Sequence, residues 1–175
     1  MVNEELSARV GQIEDRTALL NLEGLYARLY DSREAQAWAS LFTEDGIYQG
    51  RRLANMPEQN FVRGRDALAQ FCESEPASGI HSMHVPELVV RDTDAIGRIH
   101  FNFTGSYTDG DSRHHSRSVT GYYDVRYVRS DSAWLIARRV TTYLESVQRI
   151  VYPYEPTPFN LTEFAESDAG HDARH

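Results

Sequence analysis

From about residue 80 onward the sequence reads as one strand after another, and nothing else in the chain limits its fold so much. Runs rich in Val, Ile, Tyr, Phe and Thr fill about residues 81–91, 95–108, 114–129 and 133–150. The segments between them are Asp92-Thr93-Asp94, Thr108-Asp109-Gly110-Asp111 and Ser130-Asp131-Ser132, which is hairpin-type turn chemistry. Long runs joined by such short turns predict an antiparallel meander, because a parallel pair needs a crossover of a dozen or more residues.

The first 75 residues have a different period. From Ile13 to about Tyr30, Leu19, Leu22, Tyr26 and Leu29 recur at three- and four-residue steps, the spacing of one apolar helical face. Residues 1–12 read as a charged lead-in or a frayed helix start. Asp31-Ser32 interrupts the pattern and can cap a second helix. Ala35, Trp38, Leu41 and Phe42 give that second helix its apolar face, and Glu44-Asp45-Gly46 stops it. Ile47-Tyr48-Gln49 reads as a short strand and residues 50–63 as polar and irregular. Asp66 to about Glu73 reads as a third helix, with Leu68, Phe71 and Cys72 inward. Helices first and a meander later make an α+β fold: three N-terminal helices packed on a curved, mostly antiparallel sheet. Residues 1–150 form a single domain on this reading. Residues 151–175 are a Pro-rich extension (Pro153, Pro156, Pro158) followed by a polar tail.

Composition narrows the function. Among 175 residues there are 18 Lys and Arg against 26 Asp and Glu, a net charge of −8 with His neutral. Such a surface repels nucleic-acid phosphates and anionic membranes, so neither is expected as a partner. Cys72 is the single cysteine, which rules out an intramolecular disulfide and a Cys-based zinc site. The N-terminus carries no basic stretch and no apolar run, and no segment reaches the roughly 20 apolar residues of a membrane span, so a cytoplasmic location is expected.

Two positions stand out for chemistry. Asp31 sits where one apolar helix ends and the next begins, beside Tyr26 and Tyr30. It reads equally as an N-cap and as an acid at the mouth of a pocket. His81 opens a strand-like run, with His84 three residues on. In a regular strand 81, 83 and 85 share a face and His84 points away, a poor arrangement for chelating one ion. No third ligand at suitable spacing accompanies them, so no metal site is expected. There is no Gly-rich phosphate loop and no Gly-x-Ser-x-Gly, and Cys72 in an amphipathic helix reads as a buried structural thiol.

The order of elements and several local strings resemble the SnoaL-like branch of the nuclear transport factor 2-like superfamily. The strings are LYARLYD (Leu25 to Asp31), WASLFTEDG (Trp38 to Gly46), GRDAL (Gly64 to Leu68), IHSMHVPE (Ile80 to Glu87), GYY (Gly121 to Tyr123) and WLIARR (Trp134 to Arg139), spread over about residues 13–148. The resemblance implies a cone-shaped α+β barrel around one deep pocket. Within the superfamily the chain looks most like the small lyases and isomerases, namely scytalone dehydratase, bile acid 7α-dehydratase and hexachlorocyclohexane dehydrochlorinase. Those enzymes use a His–Asp pair and no cofactor. By that likeness Asp31 and His81 fall on the pair and Tyr26 on a catalytic Tyr. Tyr30, Tyr48 and His84 match active-site positions of individual members. There are departures: Phe103 stands where the bile acid enzyme has an acid, and Tyr143 where it has an Arg. Ile99 takes the place of a second essential His of scytalone dehydratase, with His100 one residue along.

The resemblance implies a cofactor-independent lyase, isomerase or cyclase acting on a small hydrophobic cyclic substrate. His81, Asp31 and Tyr26 would be catalytic. Tyr30, Trp38, Phe42, Tyr48, Met83, His84, Phe101, Phe103 and Tyr123 would line the pocket, and residues 151–160 would lie over its opening or a neighbouring subunit. Imidazole titrates near neutrality, which suits a base for C–H protons. The superfamily also contains the small subunits of ring-hydroxylating dioxygenases and non-catalytic ligand-binding modules, and both remain alternatives. A homodimer or homotrimer is expected, formed through outer sheet residues such as Ile96, Tyr107 and Tyr122.

Overall fold

The computed structural model describes residues 2–52, 59–131 and 133–151. The chain opens with helix α1, Val2–Asp31, a single uninterrupted helix that includes the segment expected to be a lead-in. Leu19, Leu22, Tyr26 and Leu29 are buried along it, as their spacing requires. Helix α2, Ala35–Ser40, follows after a tight reversal in which Arg33 takes a positive φ of 60°. Its N-cap is Glu34, without a side-chain cap hydrogen bond. Asp31 is therefore not a cap.

Helix α2 stops earlier than Glu44, and strand β1 already runs from Phe42 to Arg52. Strand β2, Gln59–Arg63, pairs antiparallel with β1, so the second half of the segment expected to be irregular is a strand. Helix α3, Arg65–Ser74, buries Leu68, Ala69 and Cys72. The long first run divides into β3, Ser78–Met83, and β4, Glu87–Val90. Pro86 lies in the gap, where its missing N–H cannot join a ladder. Then come β5, Asp94–Thr108, β6, His114–Ser130, and β7, Ala133–Ile150.

The strand order is β2-β1-β7-β6-β5-β3, with β4 also on β5. All neighbours are antiparallel except β1 and β7, which are parallel. The sheet is mixed, mostly antiparallel and curved, and it stays open. Register shifts at Thr120/Gly121 and Arg126/Tyr127 interrupt the β6–β7 ladder, and a bulge of this kind bends a strand. The helices lie on the inner side of the sheet, and the core between the two layers holds Leu19, Trp38, Phe42, Leu68, Ile99, Tyr127 and Ile136.

Two glycines shape the inner surface near β3. A Cβ on Gly79 or on its partner Gly105 would meet the edge of the Phe103 ring at 2.7 Å or 2.6 Å. The outer edge of the Phe103 ring therefore rests over bare backbone, where it forms part of the cavity floor. On the outer face Ile96 is exposed and Tyr122 half-buried. Tyr107 is not outer: it packs against the core and stacks on His115 at 4.7 Å.

Candidate active site

The last residue of α1 and the middle of β3 meet at the inner side of the sheet. Asp31 Oδ1 lies 2.6 Å from His81 Nδ1, and Asp31 Oδ2 accepts the backbone N–H of His81 at 2.8 Å. Both carboxylate oxygens are thus committed to one residue. Because a carboxylate only accepts, Nδ1 is the ring nitrogen that donates to Asp31, and Nε2 is left unengaged by it. The ring is fixed on its faces too. Phe103 lies 4.7 Å away, Tyr30 packs edge-on at 5.6 Å, and Phe101 is at 5.8 Å.

His81 opens onto a pocket lined also by Tyr26, Tyr30, Tyr48, Glu75, Phe101, Phe103, Arg117, Val119, Tyr123 and Tyr143. Of the nine residues expected to bind substrate, five line this cavity and four do not. Tyr30, Tyr48, Phe101, Phe103 and Tyr123 line the cavity, while Trp38 and Phe42 are fully buried behind it, in contact with Tyr26 at 5.4 and 6.2 Å. Met83 shares the face of His81 but lies in a shallow surface groove against Gly24 and Ala27 of α1. His84 is exposed, beyond the end of β3, with Asn102 at 3.3 Å and His100 at 6.5 Å. His100 is exposed as well and faces Tyr122, while Ile99 is buried. Moving one residue along β5 exchanges the faces.

The cavity is narrow, about 40 Å³, with room for about three waters. A ring-sized ligand needs side chains to move aside. Exposure grades along its wall. Tyr26 and Tyr123 are almost fully buried, whereas the Glu75 and Arg117 side chains are 21% and 32% exposed. The apolar, aromatic end is therefore deep, and the Glu75–Arg117 ion pair, 3.2 Å, stands at the mouth.

Behind the deep end lies a fully buried charge. Arg139 is clamped bidentately by Glu23, at 2.8 and 3.0 Å, and Tyr127 donates to the same carboxylate at 2.7 Å. The guanidinium stacks between two pocket tyrosines, 3.5 Å from the Tyr26 ring centre and 4.0 Å from that of Tyr123. Burial opposes the charge on Arg139, but the Glu23 carboxylate more than offsets it and holds the group protonated. Burial pushes the phenols of Tyr26 and Tyr123 well above their ordinary values, and the nearby Arg139 only partly counters this. Burial also raises Tyr30, and the neighbouring Tyr48 followed by burial raises Tyr143. These pocket phenols stay protonated, with O–H groups able to donate to a ligand. Tyr48 is tied to Thr141, which donates to its hydroxyl at 3.0 Å, and it lies 3.3 Å from the Tyr143 hydroxyl. Tyr26, Tyr30 and Tyr123 have no hydroxyl partner among the described residues.

Glu75, Arg117, Val119 and Tyr143 were not foreseen as pocket residues. The alternation Arg139, Thr141, Tyr143 along β7 carries a usable signal for Tyr143, since period two puts all three on one face. Among the described residues no group of three or more His, Cys, Asp or Glu side chains could hold a metal ion. No helix among them is long and apolar enough to cross a membrane.

The model of the SnoaL-like domain family matches residues 11–140. The chain belongs to this family. Solved structures support the fold. An NTF2-like protein with a cystatin-like fold from Novosphingobium aromaticivorans is 23% identical, with a TM-score of 0.62 over 80% of this chain and 88% of that one. The hexachlorocyclohexane dehydrochlorinase type 3 of Novosphingobium barchaimii is 14% identical, with a TM-score of 0.69 over 85% and 99%. A protein from Novosphingobium aromaticivorans named as the beta subunit of an aromatic-ring-hydroxylating dioxygenase is 17% identical, with a TM-score of 0.62 over 77% and 91%. At these identities the likeness is one of fold. No curated protein matches the sequence. The SnoaL-like chain thus shares its cone-like architecture with proteins of catalytic and of subunit type, and its own residues must decide between them.

Proposed function

We propose that this SnoaL-like protein is a cofactor-independent lyase or isomerase for a compact hydrophobic cyclic substrate, with His81 as general base. The observation that carries this reading is the double engagement of Asp31 with His81, 2.6 Å to the ring and 2.8 Å to the backbone, beside a pocket of protonated phenols. A half-buried carboxylate that spends both oxygens on one histidine fixes its tautomer and stabilises the imidazolium that forms when the ring takes a proton.

In an elimination, His81 Nε2 takes the proton from a carbon next to an activating carbonyl. The C–H electron pair becomes the new double bond, and hydroxide or halide leaves from the next carbon. Tyr26 donates to the oxygen that gains charge, and its pKa, raised by burial, keeps the donor proton in place. For a departing hydroxide the proton on His81 is returned to give water, and for a departing halide it passes to solvent, so that the ring is neutral again for the next turnover. For a double-bond isomerase the same proton is returned to a different carbon.

The dehydrochlorinase among the structural neighbours supports an eliminating chemistry, and the dioxygenase beta subunit supports a second reading, in which the domain binds or assembles without turnover. Incubating the protein with a panel of cyclic ketones bearing a hydroxyl or halide two carbons from the carbonyl separates the two. Mass spectrometry should find the unsaturated product with the native protein, and His81→Ala should lower its rate by about 10²–10⁴-fold. Binding without product in every case would favour the second reading.

A further inference from the structure

Residues 3–10 of α1 are exposed throughout, and the exposed apolar residues along the helix up to Leu20 follow a seven-residue repeat. Leu6, Ile13 and Leu20 are seven apart, and Asn3, Val10 and Thr17 fall between them at the alternating three- and four-residue steps of a coiled-coil seam. The apolar members are exposed: Leu6 57%, Val10 44%, Ile13 66% and Leu20 37%. The residues α1 buries against the sheet (Leu19, Leu22, Tyr26 and Leu29) occupy other positions of the repeat, on the side turned to the domain. The helix thus has two apolar faces, of which the fold covers one. Thr17 fits the seam, since its hydroxyl donates to the Ile13 carbonyl at 2.8 Å and so carries no unmet hydrogen bond into an interface.

We propose that this seam pairs with the same seam of a second copy of the chain, as a parallel two-helix interface. The residue choice at the seam selects both number and direction. Val at the first core position with Leu at two of the three second positions favours two strands, and a single Asn at a core position fixes a parallel, in-register pair. The flanking charges agree. In a parallel pair Arg9 of each helix faces Glu14 of the other, giving two opposite-charge contacts. An antiparallel pair would set Arg9 and Arg16 against arginines and Glu14 against Glu14. Neither Arg9 nor Glu14 has an ion-pair partner among the described residues. The seam is short, about two and a half repeats, but each helix is already formed and anchored by its C-terminal half, so the cost of nucleating it does not fall on dimer formation.

The test is sedimentation velocity on the full chain, together with Ile13→Glu and oxidised Ile13→Cys. The native chain should sediment as a dimer at tens of micromolar, and Ile13→Glu should raise the dissociation constant at least tenfold with unchanged circular dichroism. Ile13→Cys should cross-link to itself on oxidation, and a mixture of Leu6→Cys and Leu20→Cys chains should not cross-link to each other. A native monomer at 100 μM, a dimer indifferent to Ile13→Glu, or a Leu6–Leu20 cross-link would each overturn the proposal. The outcome does not depend on the pocket's chemistry.

Discussion

The guanidinium of Arg139 lies 3.5 Å from the ring centre of Tyr26, and Glu23, three residues earlier on the same helix, holds it at 2.8 Å. A charge with no exposed surface is thus held directly behind the residue assigned to stabilise the substrate oxygen. Removing the carboxylate leaves that charge buried without a counter-ion. Glu23→Gln should therefore cost about 3–5 kcal/mol of folding stability. Urea denaturation would show this as a lower midpoint at constant m-value. A loss under 1 kcal/mol would mean that water reaches Arg139.

The Phe103 floor makes a second expectation. A Cβ at Gly105 would come within 2.6 Å of the Phe103 ring and 2.7 Å of the Ser78 carbonyl oxygen. Gly105→Ala should cost about 1–3 kcal/mol, as overpacking does, and should push the ring toward the already narrow cavity. Thermal denaturation measures the first effect. Weaker binding of hydrophobic probes by the remaining folded protein measures the second.

The site was legible in part. Asp31 and His81 lie fifty residues apart in sequence, and only their local settings (a helix end beside tyrosines, a strand start) and the family likeness pointed to them. The structure brings them together. Tyr26, Tyr30, Tyr48, Phe101, Phe103 and Tyr123 line one cavity, each on the inward face of its helix or strand. The size and apolarity that make Trp38 and Phe42 look like pocket wall in the sequence make them core in the fold, one layer behind. Met83 and His84 differ from expectation for other reasons: Met83 keeps the face of His81 but meets Gly24 and Ala27 of α1 outside the cavity, and His84 lies beyond the end of β3. The parallel pairing of β1 with β7 joins residues about ninety apart, and no local period encodes it. Glu75 and Arg117 were missed because each looks like an ordinary surface charge until the fold pairs them. The expectation for the Pro-rich stretch from residue 152 onward lies outside the described residues.

Alkaline pH should destabilise the fold in two steps. Burial pushes the Cys72 thiol up from 9.0 to about 11. A group whose folded value is raised lends stability below its unfolded value and loses it as pH climbs through the folded one. Stability should therefore begin to fall near pH 9, and Cys72→Ala should remove that first step. The buried phenols of Tyr26, Tyr30, Tyr123, Tyr127 and Tyr143, all raised, should steepen the decline above pH 10. Midpoints of urea denaturation from pH 7 to 11 measure both. A flat profile to pH 11 in the native protein would contradict this.

The central claim is that His81, held by Asp31, removes a proton from carbon inside the pocket. Proton NMR in D₂O tests it without the natural substrate being known: a cyclic ketone is incubated with the protein, and loss of the signal from the carbon next to the carbonyl is followed. The native protein should accelerate exchange over buffer, Asp31→Asn should be slower, and His81→Ala should return the rate close to that of buffer, a fall of about 10²–10⁴-fold. Exchange by His81→Ala at the native rate would contradict the account.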